Sequence, residues 1–275
     1  MHKLSVSNIA WSGPDEVVFS LLQAIGVEGV EIAPTKLAPW DVLEEAHFLK
    51  YRDKCAQFGL LISSFQAIFF GRPELQLLGD AAQFKDFTKH FRRILRYAEV
   101  AGASCLVFGA PKNRLLLSLS LESAFDLAVT RLESLATVAW EYGVRIAIEP
   151  VPHIYGGEFL TRYADVLRLV KAVNRPGVSI NLDTACVWSA GDSISEAIYD
   201  SRDSFCHFHV SQQMLGSFEH PDPRHLEAAM ALSSIDYPAW VCIEMKQNDD
   251  LRKNIEDAVC FTKAVYFSDD HLQLC

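Results

Sequence analysis

The sequence predicts an α/β chain closed into a (β/α)8 TIM barrel, a single domain over residues 1–275. Three observations carry this. Eight short β-branched or aromatic runs alternate with eight helical patterns, and no linker, charge block or low-complexity segment divides them. The phrases AIGVEGVEI, QFGLLISSF, VAGASCLVF and EYGVRIAIE repeat one grammar of helix end, glycine and strand. Four runs, VRIAIEP, GVSINLDTA, SFCHFHVS and AWVCIEMK, carry Glu149, Asp183, His209 and Glu244 at their ends, at intervals of 34, 26 and 35 residues. A doubly wound open sheet would want a Gly-rich phosphate turn after its first strand. SNIAWSGP contains neither GxGxxG nor GxxxxGK[ST], which weighs against a nucleotide fold.

The elements follow in order. A strand at 4–10 leads to a helix at 15–25, closed by Gly26. The second unit is a strand at 29–33 and a helix at 40–58, closed by Gly59. The third is a strand at 60–68 and a helix at 81–100, closed by Gly102. The fourth runs from a strand at 105–109 to a helix at 121–142, closed by Gly143. Strands at 144–149, 178–183, 205–211 and 240–246 precede helices at 161–173, 193–199, 223–233 and 248–267.

Side chains alternate faces along a strand, so a residue at the strand end determines which others share its face. With Glu149, Asp183, His209 and Glu244 inward, the outward set is Ile146, Ile148, Val178, Ile180, Leu182, Cys206, Phe208, Val241 and Ile243. All are apolar, as helices packed on a sheet require. The inward set is Ala147, Ser179, Asn181, His207 and Cys242, a mixed group. Parallel consecutive strands bring the four ends to one rim, where three carboxylates and one imidazole form a cage for a divalent cation. The oxygen-rich set suits Mn2+, Mg2+ or Co2+, and the histidine keeps Zn2+ open.

Composition narrows the partners. A formal charge of −10 argues against non-specific binding of nucleic acid, which relies on basic residues against phosphates. No apolar run approaches a membrane span, and MHKLSVSNIAW enters a strand without a signal-peptide core. Seven scattered cysteines, with no CxxC, suit a reducing compartment. The expectation is a cytoplasmic protein acting on a small molecule, with a homo-oligomer left open.

The runs IAIEPVPHIYGGEFL, INLDTA, HFHVS and CIEM resemble the xylose-isomerase-like barrels, as do SNIAW, GVEIAP, SSFQAIFFG and LVFGAPKNR at the first four strand ends. That superfamily includes sugar isomerases and epimerases, endonuclease IV, a 3-dehydroshikimate dehydratase and inosose dehydratases. The resemblance implies a divalent metal on Glu149, Asp183, His209 and Glu244, with Glu149 and Glu244 as a proton-transfer pair flanking the substrate. It also implies what is lacking. Cys186 stands where the ketose 3-epimerases and the nuclease have a histidine, and Leu215 where the 3-epimerases have an arginine. The places of the nuclease's further metal ligands hold Gln66, Gly109 and Asp222-Pro223-Arg224, so a three-zinc nuclease is not expected.

The expected reaction is therefore a metal-dependent isomerisation or epimerisation of a sugar or sugar phosphate through an enediolate. The alternatives are a dehydratase with the same cation, or a non-catalytic binding barrel. Around the rim, Gln66 suits a substrate hydroxyl or a metal-bound water, and Glu31 is read the same way. Lys112, Asn113 and Arg114 suit a phosphate or carboxylate. Cys186 reads as a pocket wall, while His153, Arg224 and Lys246 are further mouth candidates. Trp11, Phe70 and Trp188 offer aromatic faces to a ring. Tyr155-Gly156-Gly157 reads as an elbow of the fifth-strand loop, and His207 as a hydrogen-bonded residue beneath the ligands.

Overall fold

The computed structural model describes residues 2–268. Eight strands form a closed barrel in sequence order, every neighbouring pair parallel. They are β1 (Lys3–Ser7), β2 (Gly29–Ile32), β3 (Leu61–Phe65), β4 (Cys105–Phe108), β5 (Arg145–Ile148), β6 (Val178–Asp183), β7 (Phe205–Ser211) and β8 (Trp240–Glu244). Around them run α1 (Asp15–Ala24), α2 (Glu45–Gln57), α3 (Ala81–Ala101), α4 (Leu121–Glu141), α5 (Tyr163–Val173), α6 (Thr184–Ser189), α7 (Ile194–Ser201), α8 (His225–Ser234) and α9 (Leu251–Tyr266).

Two helices differ from expectation. α2 starts at Glu45 rather than near Trp40, because Pro39 and the turn after it precede the capping box of Glu44 and His47. α6 was not expected at all. It begins directly at the end of β6, and its N-cap is Asp183, whose Oδ1 accepts the Cys186 N–H at 2.6 Å.

The two faces of the barrel have different chemistry. Outward residues such as Val6, Ile32, Leu106, Ile148, Leu182, Phe208 and Ile243 are buried in one apolar cluster with the helices. The floor of the interior is a small separate cluster of Cys105, Val107 and Ala147. Above it the interior is polar, with Ser5, Ser7, Glu31, Ser64, Asn181, His207 and His209 all buried. Small and polar inward residues leave the upper barrel as a site instead of a packed core.

One face assignment is corrected here. Cys206 was expected outward, but it packs against Cys105, Val107 and Ala147, with its sulfur 4.0 Å from that of Cys105. The cause is a bulge, because Ile180 pairs with Phe205 while Asn181 pairs with His207. One extra residue resets the alternation, so Phe205 joins the outer core and Cys206 faces in. A second bulge in β3 pairs Val30 with Ile62 and Glu31 with Ser64, bringing the Ser64 hydroxyl onto the Glu31 carboxylate.

Candidate metal centre

Register places the four expected ligands together at the C-terminal rim. Asp183 pairs with His209 across β6 and β7, and Ser211 with Glu244 across β7 and β8. Nδ1 of His209 lies 3.4 Å from Glu149 Oε2, 3.4 Å from Glu244 Oε2 and 3.9 Å from Asp183 Oδ2. That nitrogen is buried and has no hydrogen-bond partner. Ligand atoms of Glu149, Asp183 and His209 lie within 4.8 Å of one another, and Glu244 joins them from the rim side through the same nitrogen.

Two of the three carboxylates are held from behind. Asn181 donates to Glu149 Oε2 at 2.6 Å, and Ser211 Oγ donates to Asp183 Oδ2 at 2.6 Å. Gly109 gives Glu149 its space, since a Cβ at position 109 would lie 2.3 Å from Glu149 Oε1. The backbone of Glu149 is fixed by Arg114, a fully buried guanidinium that donates to Glu149 O at 2.7 Å and Phe108 O at 3.2 Å. Burial pushes that guanidinium down to about 10.

The electrostatics call for positive charge. Burial, then repulsion from Glu149, pushes the Asp183 carboxyl up to about 6. Burial pushes Glu244 up to about 7; His209 opposes this, while Glu149 and Asp183 add to it. Burial alone would lower the His209 imidazole, but the carboxylates of Glu31 and Glu244 hold it well above its ordinary range. A divalent cation fits these residues: an orphaned imidazole nitrogen faces three carboxylates, two of which resist ionising together.

The cluster opens into two lobes. One, of about 520 Å³, is lined by Gln66, Phe70, Val107, Lys112 and the two glutamates. The other, about 250 Å³, is lined by Asp183, Cys186, Ser211 and Leu215 with the same glutamates. Gln66, Phe70 and Lys112 line the first lobe and Cys186 the second.

Other expected mouth residues lie elsewhere. Arg114 is spent on strand-end carbonyls and reaches neither lobe. His153 bonds Gly157 O at 2.7 Å and lines a cavity beside α4 and α5. Trp188 is turned by α6 onto His225, with the Arg224 guanidinium 4.6 Å over its ring and ion-paired to Asp222. Trp11 is buried in the core, and Lys246 is exposed beyond β8 with its N–H on Leu215 O. In the fifth-strand loop, Gly157 answers a close approach: a Cβ there would lie 1.8 Å from Val151 O. Glu31 is not at the rim but beneath it, with no exposure, bonded to both His207 and His209. Sequence reasoning missed the roles of Asn181 and Ser211. Their inward parity was the available signal, and it did not say which carboxylate each would hold.

Comparison with known proteins agrees with the fold. The family described as the xylose isomerase-like TIM barrel matches residues 19–265. No curated protein matches the sequence. Among solved structures, L-ribulose 3-epimerase superposes with a TM-score of 0.82 at 14% identity, covering 97% of this chain and 95% of that one. D-psicose 3-epimerase gives 0.81 at 16% identity, over 97% and 100%. The 3-keto-D-glucoside 4-epimerase YcjR from E. coli gives 0.79 at 18% identity, over 96% and 100%. At these identities the structures speak for the fold, and the match over 19–265 shows that the chain belongs to the xylose isomerase-like TIM-barrel family.

Proposed function

We propose that the protein is a metal-dependent isomerase or epimerase of a sugar or sugar phosphate, with Glu149 and Glu244 as its proton-transfer pair. The observation that carries this is the convergence of both glutamates on His209 Nδ1, each at 3.4 Å and each lining both lobes of the cavity. The sugar epimerases that share the fold support the substrate class.

Glu149, Asp183, His209 and Glu244 would hold the cation, which supplies the charge that stabilises the oxygens of an enediolate. The remaining work falls to the chain itself. Glu149 is aimed by Asn181, so one carboxylate oxygen is anchored and the other, Oε1, faces the space left by Gly109. Glu244, whose Oε2 faces His209 Nδ1 at 3.4 Å and which lines both lobes, is placed to exchange a proton with the substrate. The two lobes on either side of the pair hold the substrate on each side of the reacting carbon. Gln66, whose amide donates to Ser7 at 2.9 Å, keeps its oxygen for a substrate hydroxyl, and Lys112 stands at the outer lip. Burial and Asp183 push the Cys186 thiol up, so it acts as an uncharged wall.

The test is turnover in D2O with a panel of aldoses, ketoses and their phosphates and added Mn2+. One solvent deuterium at the carbon beside the carbonyl, with product mass otherwise unchanged, is expected. Loss of water instead would assign a dehydratase, and no turnover with stoichiometric metal would leave a binding barrel.

A further inference from the structure

We infer that Glu31 is a positioning residue that decides which ring nitrogen of His209 faces the cation. This rests on the metal centre proposed above. Glu31 is the third of the four residues of β2, beneath the rim and with no solvent exposure. Its Oε2 is met by three groups: Ser64 Oγ at 2.7 Å, His207 Nε2 at 3.1 Å and His209 Nε2 at 3.1 Å. An ionised carboxylate oxygen only accepts, so each of these nitrogens carries its hydrogen. In a neutral His209 ring the lone pair is then on Nδ1, the nitrogen that faces Glu149, Asp183 and Glu244. Such an acceptor behind a ligating imidazole fixes both tautomer and ring orientation.

A competing arrangement shares the same ring. Glu31, His207, His209 and Cys242 also offer ligand atoms within 4.8 Å of one another, deep in the barrel. An ion there would need His209 Nε2 bare, whereas an ion at the rim needs Nδ1 bare. The three groups on one Glu31 oxygen, together with the orphaned Nδ1, select the rim. The β3 bulge matters to this, because it brings the Ser64 hydroxyl onto Glu31.

Two measurements test it. The first is Mn2+ titration calorimetry of the parent and Glu31→Gln, with urea melts of both in EDTA. An amide accepts more weakly than a carboxylate, and Kd is expected to rise roughly 10–100-fold, the usual effect of losing such a support. A purely structural role would lower the melt and leave Kd within about twofold, which would overturn the inference. The second needs no variant: NMR of the 15N-histidine-labelled, Zn2+-loaded parent should show metal on His209 Nδ1 and hydrogen on Nε2. Metal on Nε2 would overturn it and move the ion into the deep cluster. A parent that binds neither metal would remove the metal centre itself, a result distinct from a variant that binds as well as the parent.

Discussion

At position 109 a hydrogen stands where any other residue would put a Cβ 2.3 Å from Glu149 Oε1. The backbone there is not left-handed, so alanine brings no torsional strain. The atom it meets is the free end of a side chain, and Glu149 can swing away. Gly109→Ala should therefore fold normally, melting within about 0.5 kcal/mol of the parent as changes outside strained sites do, while moving the carboxylate out of the cluster. Mn2+ titration checks this, and parent-like affinity would show that Glu149 keeps its place. Chemistry is tested at the same residue scale by Glu149→Gln and Glu244→Gln, which preserve shape and remove proton transfer. Each should cut kcat by roughly 10²–10⁴-fold, as loss of a general acid or base does. Parent-like turnover by both variants would sink the carboxylate pair.

Among the elements, β6 and the helix it runs into do two jobs with one side chain. Asp183 offers Oδ2 to the cluster while Oδ1 caps α6 through the Cys186 N–H. The two jobs separate by substitution. Asp183→Asn keeps an acceptor for the cap and loses the charge; Asp183→Ala loses both. In EDTA the alanine variant should be about 1 kcal/mol less stable than the asparagine one, the usual value of a cap, and both should bind Mn2+ poorly. Equal urea midpoints for the two would show that the cap contributes nothing. The same helix marks where the sequence stopped being legible. Strand ends at Glu149, Asp183, His209 and Glu244 could be read because a continuous pleat has a period of two, and helix ends because Gly26, Gly59, Gly102 and Gly143 close them. α6 could not, since its only start signal is a residue already read as a ligand. The bulges of β3 and β7 escaped for a related reason: an inserted residue changes pairing without changing composition, so Cys206 was counted onto the outer face. Loop residues such as Arg114 and His153 were assigned by distance from a strand end, which does not determine where a long side chain turns.

At the scale of the whole molecule, a cation held as proposed by Glu149, Asp183, His209 and Glu244 would tie β5 through β8 together, and a ligand that binds only the folded state raises its melting temperature. Excess Mn2+ should raise Tm relative to EDTA, and identical melts would contradict a preformed site. Two buried histidines outside the centre also contribute to the barrel's acid response. Burial pushes His90, bonded to Ile68 O at 2.8 Å, down to about 4 and His225 down to about 3. The surroundings of His225 keep it neutral. Gln212 Nε2 donates to its Nε2 at 3.0 Å, and Gln212 Oε1 is occupied by the Asp222 N–H, leaving Nδ1–H for the Tyr266 oxygen at 2.6 Å. A proton on Nε2 would face an amide donor. An unfolded histidine titrates near 6.5, so between that value and the folded ones the unfolded chain binds protons that the barrel refuses. Their stabilisation is thus fully present above about pH 6.5 and is lost as pH falls toward 4 and then 3, with a slope of up to roughly 1.4 kcal/mol per unit for each group. The raised carboxyls of Asp183 and Glu244 act in the opposite sense, so the two effects must be separated by difference. His225→Gln, measured beside the parent from pH 7.5 to 5 in EDTA, should be less stable at pH 7.5 and lose less stability on acidification. Parallel curves for the two proteins would show that His225 takes up its proton in the fold as readily as in the unfolded chain, and would overturn this account.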